Sequence, residues 1–158
     1  MKVLPDIRSV EVTPPPAANN FDLPQGLIGF KDYTRAELLY LPDHLPFLWM
    51  RLHRAADHCH FIVIEPAGLV PGYAPELFDA DAEGLDLRDP AEAMLLNIVT
   101  LRQQNPLEAT VNLVGPIVMN RRTRLARQLV IANYSSYSAH WPLVEQTAAA
   151  PTPALATA

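Results

Sequence analysis

Four clusters of side chains have types and spacings that could do chemistry. Asp79-Ala80-Asp81-Ala82-Glu83-Gly84 sets acids at positions 1, 3 and 5 and glycine at 6, as a calcium loop begins. Such a loop closes its shell with a bidentate glutamate at position 12, where Pro90 stands instead. The run reads as a solvated acidic turn. His58-Cys59-His60, with His53 upstream, has the composition of a zinc cluster. On a strand, however, His58 and His60 share one face and Cys59 takes the other, so two ligands lack a clear third. A polar strand edge is the plainer reading, and no metal is expected. Arg121, Arg122, Arg124 and Arg127 could grip phosphates or the acidic end of a protein ligand. A solvated hairpin turn explains them as well, and no aromatic residues interleave to stack single-stranded RNA. Residues 76–92 hold seven acids and one base, Arg88. They form either a solubilising face or an electronegative docking patch for a basic partner.

None of these is a catalytic set. No Gly-rich phosphate loop and no G-x-S-x-G elbow occurs. Asn133-Tyr134-Ser135 matches a glycosylation sequon, which has no use without secretion. The start of the chain, Met1-Lys2-Val3-Leu4-Pro5-Asp6, lacks the apolar core of a secretory signal, so a cytoplasmic location is expected. No apolar run nears the ~20 residues of a membrane span. Cys59 is the lone cysteine, which rules out an intrachain disulfide and suits a reducing compartment. A formal charge of −5 argues against direct contact with nucleic acid and allows a basic protein partner. No enzyme activity and no cofactor is expected.

The elements that would position these groups read as strands. The 158 residues fit one domain over 1–145, followed by a flexible Ala/Thr/Pro-rich tail at 146–158. Sixteen prolines against six glycines disfavour a helical bundle. Residues 107–119 alternate with period two, setting Leu107, Ala109, Val111, Leu113, Ile117 and Met119 on one face. Gly115-Pro116 marks an edge, a bulge or a bend within that run. Further strands are expected at 10–12, 37–41, 45–52, 61–64, 93–101 and 127–132, with 61–64 and 93–101 apolar on both sides. Helix is confined to about two turns from Asp79, capped by that aspartate, and to a capped turn at Asp89-Pro90-Ala91-Glu92. The fold class is therefore mainly β, a small antiparallel barrel or sandwich with one or two short helical turns.

Two Gly/Pro segments remain, Phe21-x-x-Pro24-x-Gly26-Leu27-x-Gly29-Phe30 and Asn112-Leu113-x-x-Pro116-Ile117-Val118-Met119-Asn120. Between and after them stand Leu45-Pro46-Phe47-Leu48-Trp49, Phe61-Ile62-Val63-Ile64-Glu65-Pro66, Ile98-Val99-Thr100-Leu101, Gln128-Leu129-Val130 and Tyr137. In this order the pattern resembles the FliW family of flagellar assembly factors, over about nine-tenths of the chain. Two departures are Gly115, where that family commonly has alanine, and Glu65, where Asn or Asp is common. The resemblance implies a cytoplasmic β-barrel-like protein without catalysis. It further implies binding to free flagellin and to a CsrA-type RNA-binding repressor, whose block on flagellin messenger RNA is relieved allosterically. Pro24, Gly26, Gly29, Gly115 and Pro116 would shape loops; Phe21, Leu27, Phe30, Asn112 and Asn120 would make contacts beside them, unless the apolar ones are core. Asp79, Asp81 and Glu83 would face the basic repressor. The alternative, a β-barrel holding a small molecule, would line an apolar pocket with Phe47, Trp49 and Phe61.

Overall fold

Alternation along 48–63 sets the fold in motion. In β3 (Leu48–Arg54) the even positions Leu48, Met50 and Leu52 are buried, while Trp49, Arg51 and His53 turn outward. The same phase runs through β2 (Arg35–Leu39) and β4 (Asp57–Ile64), which pair with it antiparallel. The computed structural model describes residues 1–4, 19–102 and 108–143. Its further strands are β1 (Asn20–Asp22), β5 (Ala93–Arg102), β6 (Glu108–Val111), β7 (Ile117–Asn120), β8 (Ala126–Gln128) and β9 (Trp141–Pro142). All the ladders are antiparallel, in the order β1-β2-β3-β4-β5-β6-β9, with β7 joining β5 to β8. The expected strand at 10–12 and the tail at 146–158 lie outside the described residues. No helix among the described residues is long and apolar enough to cross a membrane.

The sheet curls until its two ends meet. Asp22 of β1 bridges to Leu125, just ahead of β8, and its N–H donates to the Arg124 carbonyl at 2.9 Å. Inside the curl each strand of the ring contributes to one core, including Phe21, Leu38, Met50, Val63, Leu96 and Met119. A second core on the outer side of β5 and β6 gathers Phe47, Val99, Val111, Leu113, Leu129 and Ile131. β5 feeds both, with Ala93, Leu95 and Val99 outward and Met94 and Leu96 inward, as its two-sided apolar pattern requires. Strand 61–64 behaves the same way, Val63 inward and Ile64 outward.

Residues 107–119 do not form one strand. β6 and β7 both pair with β5, but Val111 stands opposite Val99 and Ile117 opposite Leu96. Five residues, 112–116, thus face only Asn97 and Ile98. The three extra residues are an odd number, so the side-chain alternation changes phase across the bulge. Ala109, Val111 and Leu113 enter the outer core, whereas Ile117 and Met119 enter the inner one. The expected β3 start is also late: Pro42–His44 forms a 3-10 turn, Pro46 offers no N–H, and pairing begins at Leu48.

Helix α1 (Asp79–Gly84) is where the acids predicted it, but its cap is not. Phe78 holds the N-cap position and no side chain caps the helix; Asp79 is the first helical residue. The turn at Pro90–Glu92 is capped as expected, Asp89 Oδ1 accepting from the Ala91 N–H at 2.9 Å.

Polar groups buried near the bulge are tied to it. Tyr73 donates its hydroxyl to the Leu113 carbonyl at 2.8 Å, and Asn97 Nδ2 donates to Tyr73 at 3.2 Å and to the Asn112 carbonyl at 2.9 Å. Burial pushes the Tyr73 phenol up to about 12, and burial followed by the Glu65 charge does the same for Tyr40. A phenol raised from its ordinary value near 10 favours the fold fully below pH ~10, and that stability is lost as pH rises through the folded value. Two of the five tyrosines should therefore ionise only near pH 12 in absorbance at 295 nm, with the urea midpoint falling above pH ~10. Ionisation of all five together near pH ~10 in folded protein would contradict their placement.

Candidate partner-binding surface

The first Gly/Pro segment folds back on itself as a tight corner. Leu23 N–H bonds the Thr34 carbonyl at 2.8 Å, Gly26 N–H the Leu23 carbonyl at 2.8 Å, and Phe30 N–H the Leu27 carbonyl at 2.8 Å. Gly26 is buried at φ +62°, and a Cβ there would strike the Phe30 carbonyl oxygen and the Lys31 main chain. Gly29 shares the left-handed conformation, at φ +88°, with open space around it. This corner sends Phe21 and Leu27 into the inner core and throws Ile28 out to 71% exposure. Phe30 is half-exposed and packs edge-on to Phe61, ring centres 5.1 Å apart, and to Tyr33 at 6.0 Å. Pro24 is exposed at the turn. Phe21 and Leu27 thus anchor the corner from beneath, and Ile28 and Phe30 are what it presents.

The second segment supplies the bulge. Asn112 Oδ1 accepts from Val114 N–H at 3.0 Å and Gly115 N–H at 2.9 Å, which folds the chain into a turn. Buried Pro116 gives its carbonyl to Leu129 N–H at 3.0 Å. An alanine at 115 would bring its Cβ to 3.2 Å from Asn112 Nδ2 and 3.5 Å from Gln128 Nε2, a close but side-chain-only fit. Asn112 is spent on its own turn. Asn120 is fully buried, donating to the Leu85 carbonyl at 2.8 Å and the Asp86 carbonyl at 3.0 Å while accepting from Arg122 N–H at 2.8 Å. Both asparagines therefore position backbone, and Asn120 is fully buried.

Gln128 joins the two segments. Its Oε1 accepts from Ile28 N–H at 3.0 Å and its Nε2 donates to the Gly115 carbonyl at 3.1 Å. Residues almost ninety positions apart become one rigid corner through a single amide. Sequence reasoning placed Gln128 on a strand but gave it no role; its signal is a polar residue in the inward phase of β8, two after buried Ala126.

The acidic and basic runs, taken separately in the sequence, are partners of each other. Arg127 Nη1 meets Asp81 at 3.5 Å, Arg122 Nη2 meets Asp86 at 2.8 Å, and Arg122 Nε meets Glu92 at 3.7 Å. The Arg122 hydrogen bond, then the Arg88 charge, hold the Asp86 carboxyl below its usual range. Asp79, 98% exposed and 3.8 Å from the Met1 amino group, and exposed Glu83 are the outward acids of α1.

His53, His58 and His60 lie on the outer face of β3 and β4, with Cys59 turned to the inner core. Arg51 Nε approaches His60 Nε2 at 3.3 Å, and burial, then Arg51, lower the His60 pKa. Among the described residues no three His, Cys, Asp or Glu have metal-holding geometry. The three aromatic residues expected to line a small-molecule pocket do not converge. Phe47 belongs to the outer core, Phe61 packs on the inner one, and Trp49 turns out to bond His44 Nδ1 at 3.0 Å, so the three line no shared cavity.

The family model described as FliW protein matches residues 8–143. The chain belongs to the FliW family. Flagellar assembly factor FliW of Natranaerobius thermophilus is 35% identical over 120 residues, 76% of this chain and 78% of that protein. The one from Geobacter sulfurreducens is 33% identical over 83% of this chain and 80% of its own. A crystal structure of the flagellar assembly factor FliW superposes with a TM-score of 0.68 at 28% identity, covering 85% of this chain and 89% of that one. The FliW match spans both Gly/Pro segments and the glutamine that joins them. FliW proteins are named as assembly factors, in line with a non-catalytic role.

Proposed function

We propose that this FliW-family protein is a non-catalytic partner switch of flagellar assembly, binding flagellin and a CsrA-type RNA-binding repressor. Holding the repressor would free flagellin messenger RNA for translation, and accumulating flagellin would take the factor back. One observation supports this above the rest: both segments that mark the family converge on one exposed, internally braced corner at Gln128. A braced surface binds without a large ordering penalty. Two exclusive partners need overlapping surfaces or two coupled states.

The test is calorimetry of the purified protein with flagellin and with the repressor from the same organism. Micromolar binding to at least one is expected; no association with either at low salt removes the reading. Reversing Asp79 and Glu83 to lysine should weaken the repressor complex about three- to tenfold, more at low salt, because these acids face solvent. Extending the reversal to Asp81 also breaks its pair with Arg127. Unchanged affinity in the double variant would take the acidic face out of the interface.

A further inference from the structure

We propose that the open edge of β8 and of the extended segment that continues it to Ile131 docks an extended, basic and apolar segment of a partner protein by strand addition. This rests on the partner-binding function above and specifies its mode. The register of β7 and β8 decides which main-chain groups are spoken for. Asn120 N–H donates to the Leu125 carbonyl, Leu129 N–H to that of Pro116 and Ile131 N–H to that of Val114. Alternate residues of an antiparallel ladder aim their N–H and C=O at opposite edges. Gln128 and Val130 therefore point theirs away from β7.

Among the described residues that outer edge is covered at both ends and open between them. Asp22 N–H takes the Arg124 carbonyl at 2.9 Å, and Ala132 N–H meets the Glu76 carbonyl at 2.7 Å. Between these contacts Val130 has no hydrogen bond among the described residues, and its side chain is 48% exposed. Protein edges are commonly blunted with lysine, proline or a bulge, and this one carries valine. Unpaired N–H and C=O groups in extended geometry are complementary to another strand.

The surroundings specify that strand. Gln128 and Val130 share the phase of Ala126, and the hydrogen bond from the Ile28 N–H to the Gln128 side chain brings the corner that carries exposed Ile28 to that side of the strand. Arg127 takes the opposite phase and meets Asp81 of α1, the helix that also carries exposed Asp79 and Glu83 and follows exposed Phe78. Alternate side chains of a docked segment would thus face Ile28 and Val130 on one side and Phe78 among acids on the other. Apolar residues interleaved with lysine or arginine fit both. A second copy of this chain would instead bring acidic helices together.

Val130→Pro is the decisive variant, because it deletes an N–H that makes no hydrogen bond among the described residues. Val130→Lys keeps the N–H and places a charge in the apolar strip. NMR-detected hydrogen exchange is run on each with the same flagellin and repressor, and with a pentapeptide alternating lysine and valine. The expected result is protection of the Gln128 and Val130 amides in one protein complex, and affinity at least about tenfold lower for Val130→Pro at an unchanged urea midpoint. If Val130→Pro proves unstable, protection in the wild type and the affinity of Val130→Lys decide. Binding without protection, or unaltered binding by a folded Val130→Pro, overturns the edge and leaves the partner function standing. If neither protein binds the wild type, the partner function fails. The pentapeptide then judges the edge alone: protection of those two amides at millimolar concentration supports it, and none overturns it.

Discussion

Gly26→Ala should lower the unfolding free energy by about 3 kcal/mol, read as a shift in urea midpoint at constant slope. Two penalties combine there. A left-handed residue with a Cβ loses about 1 kcal/mol or slightly more. The new methyl also meets main-chain atoms of Phe30 and Lys31, which no rotamer change can move aside. The corner would have to open, and Ile28 and its bond to Gln128 would move with it. Gly29→Ala is the internal control, because φ is also positive but nothing stands within 4 Å of the added atom. It should lose only about 1 kcal/mol. Equal losses at the two positions would mean that the close approach at Gly26 does not exist.

The same corner shows what a sequence discloses and what it withholds. Periodicity is local, so strands 37–41, 61–64 and 93–101 were legible to within a few residues, including the two that feed both cores. Gly115-Pro116 announced a break, but not its parity. Whether the bulge holds an even or an odd excess depends on where β5 resumes pairing, a non-local fact. The burial of Phe21 and Leu27 followed similarly from closure of the ring at Asp22 and Leu125. Charges gave the least. Residues 76–92 looked acidic and 121–127 basic, yet chain topology brings the β7–β8 turn onto α1 and cancels much of both fields. The cap of α1 was misplaced by one residue because a sequence cannot tell an aspartate at the N-cap from one in the first turn, where the helix dipole favours it equally.

Asn120→Ala should prove comparably severe, at about 4 kcal/mol, though the sequence suggests a contact residue there and not a structural one. Its buried side chain bonds four backbone groups, of which only the Leu85 carbonyl lies in a fully buried contact: the carbonyls of Leu85 and Asp86, and the N–H groups of Arg122 and Thr123. Each group left unpaired in a buried site carries a penalty of about 1–3 kcal/mol, tempered by local relaxation. The neighbouring ion pair of Arg122 with Asp86 joins the same two elements from outside, where water screens it. pH separates the two contributions. The Asp86 carboxyl is depressed in the fold, so its contribution is present above the unfolded carboxylate value and disappears as pH falls through the lower, folded one. Arg122→Ala should therefore matter little at pH 7 and still less once Asp86 is protonated, when its bond to the Asp86 main-chain carbonyl remains, whereas the Asn120→Ala deficit should persist across that range in parallel urea titrations. A deficit at Asn120 that vanished with acid would move the junction between α1 and the β7–β8 turn from the buried amide to the surface charges.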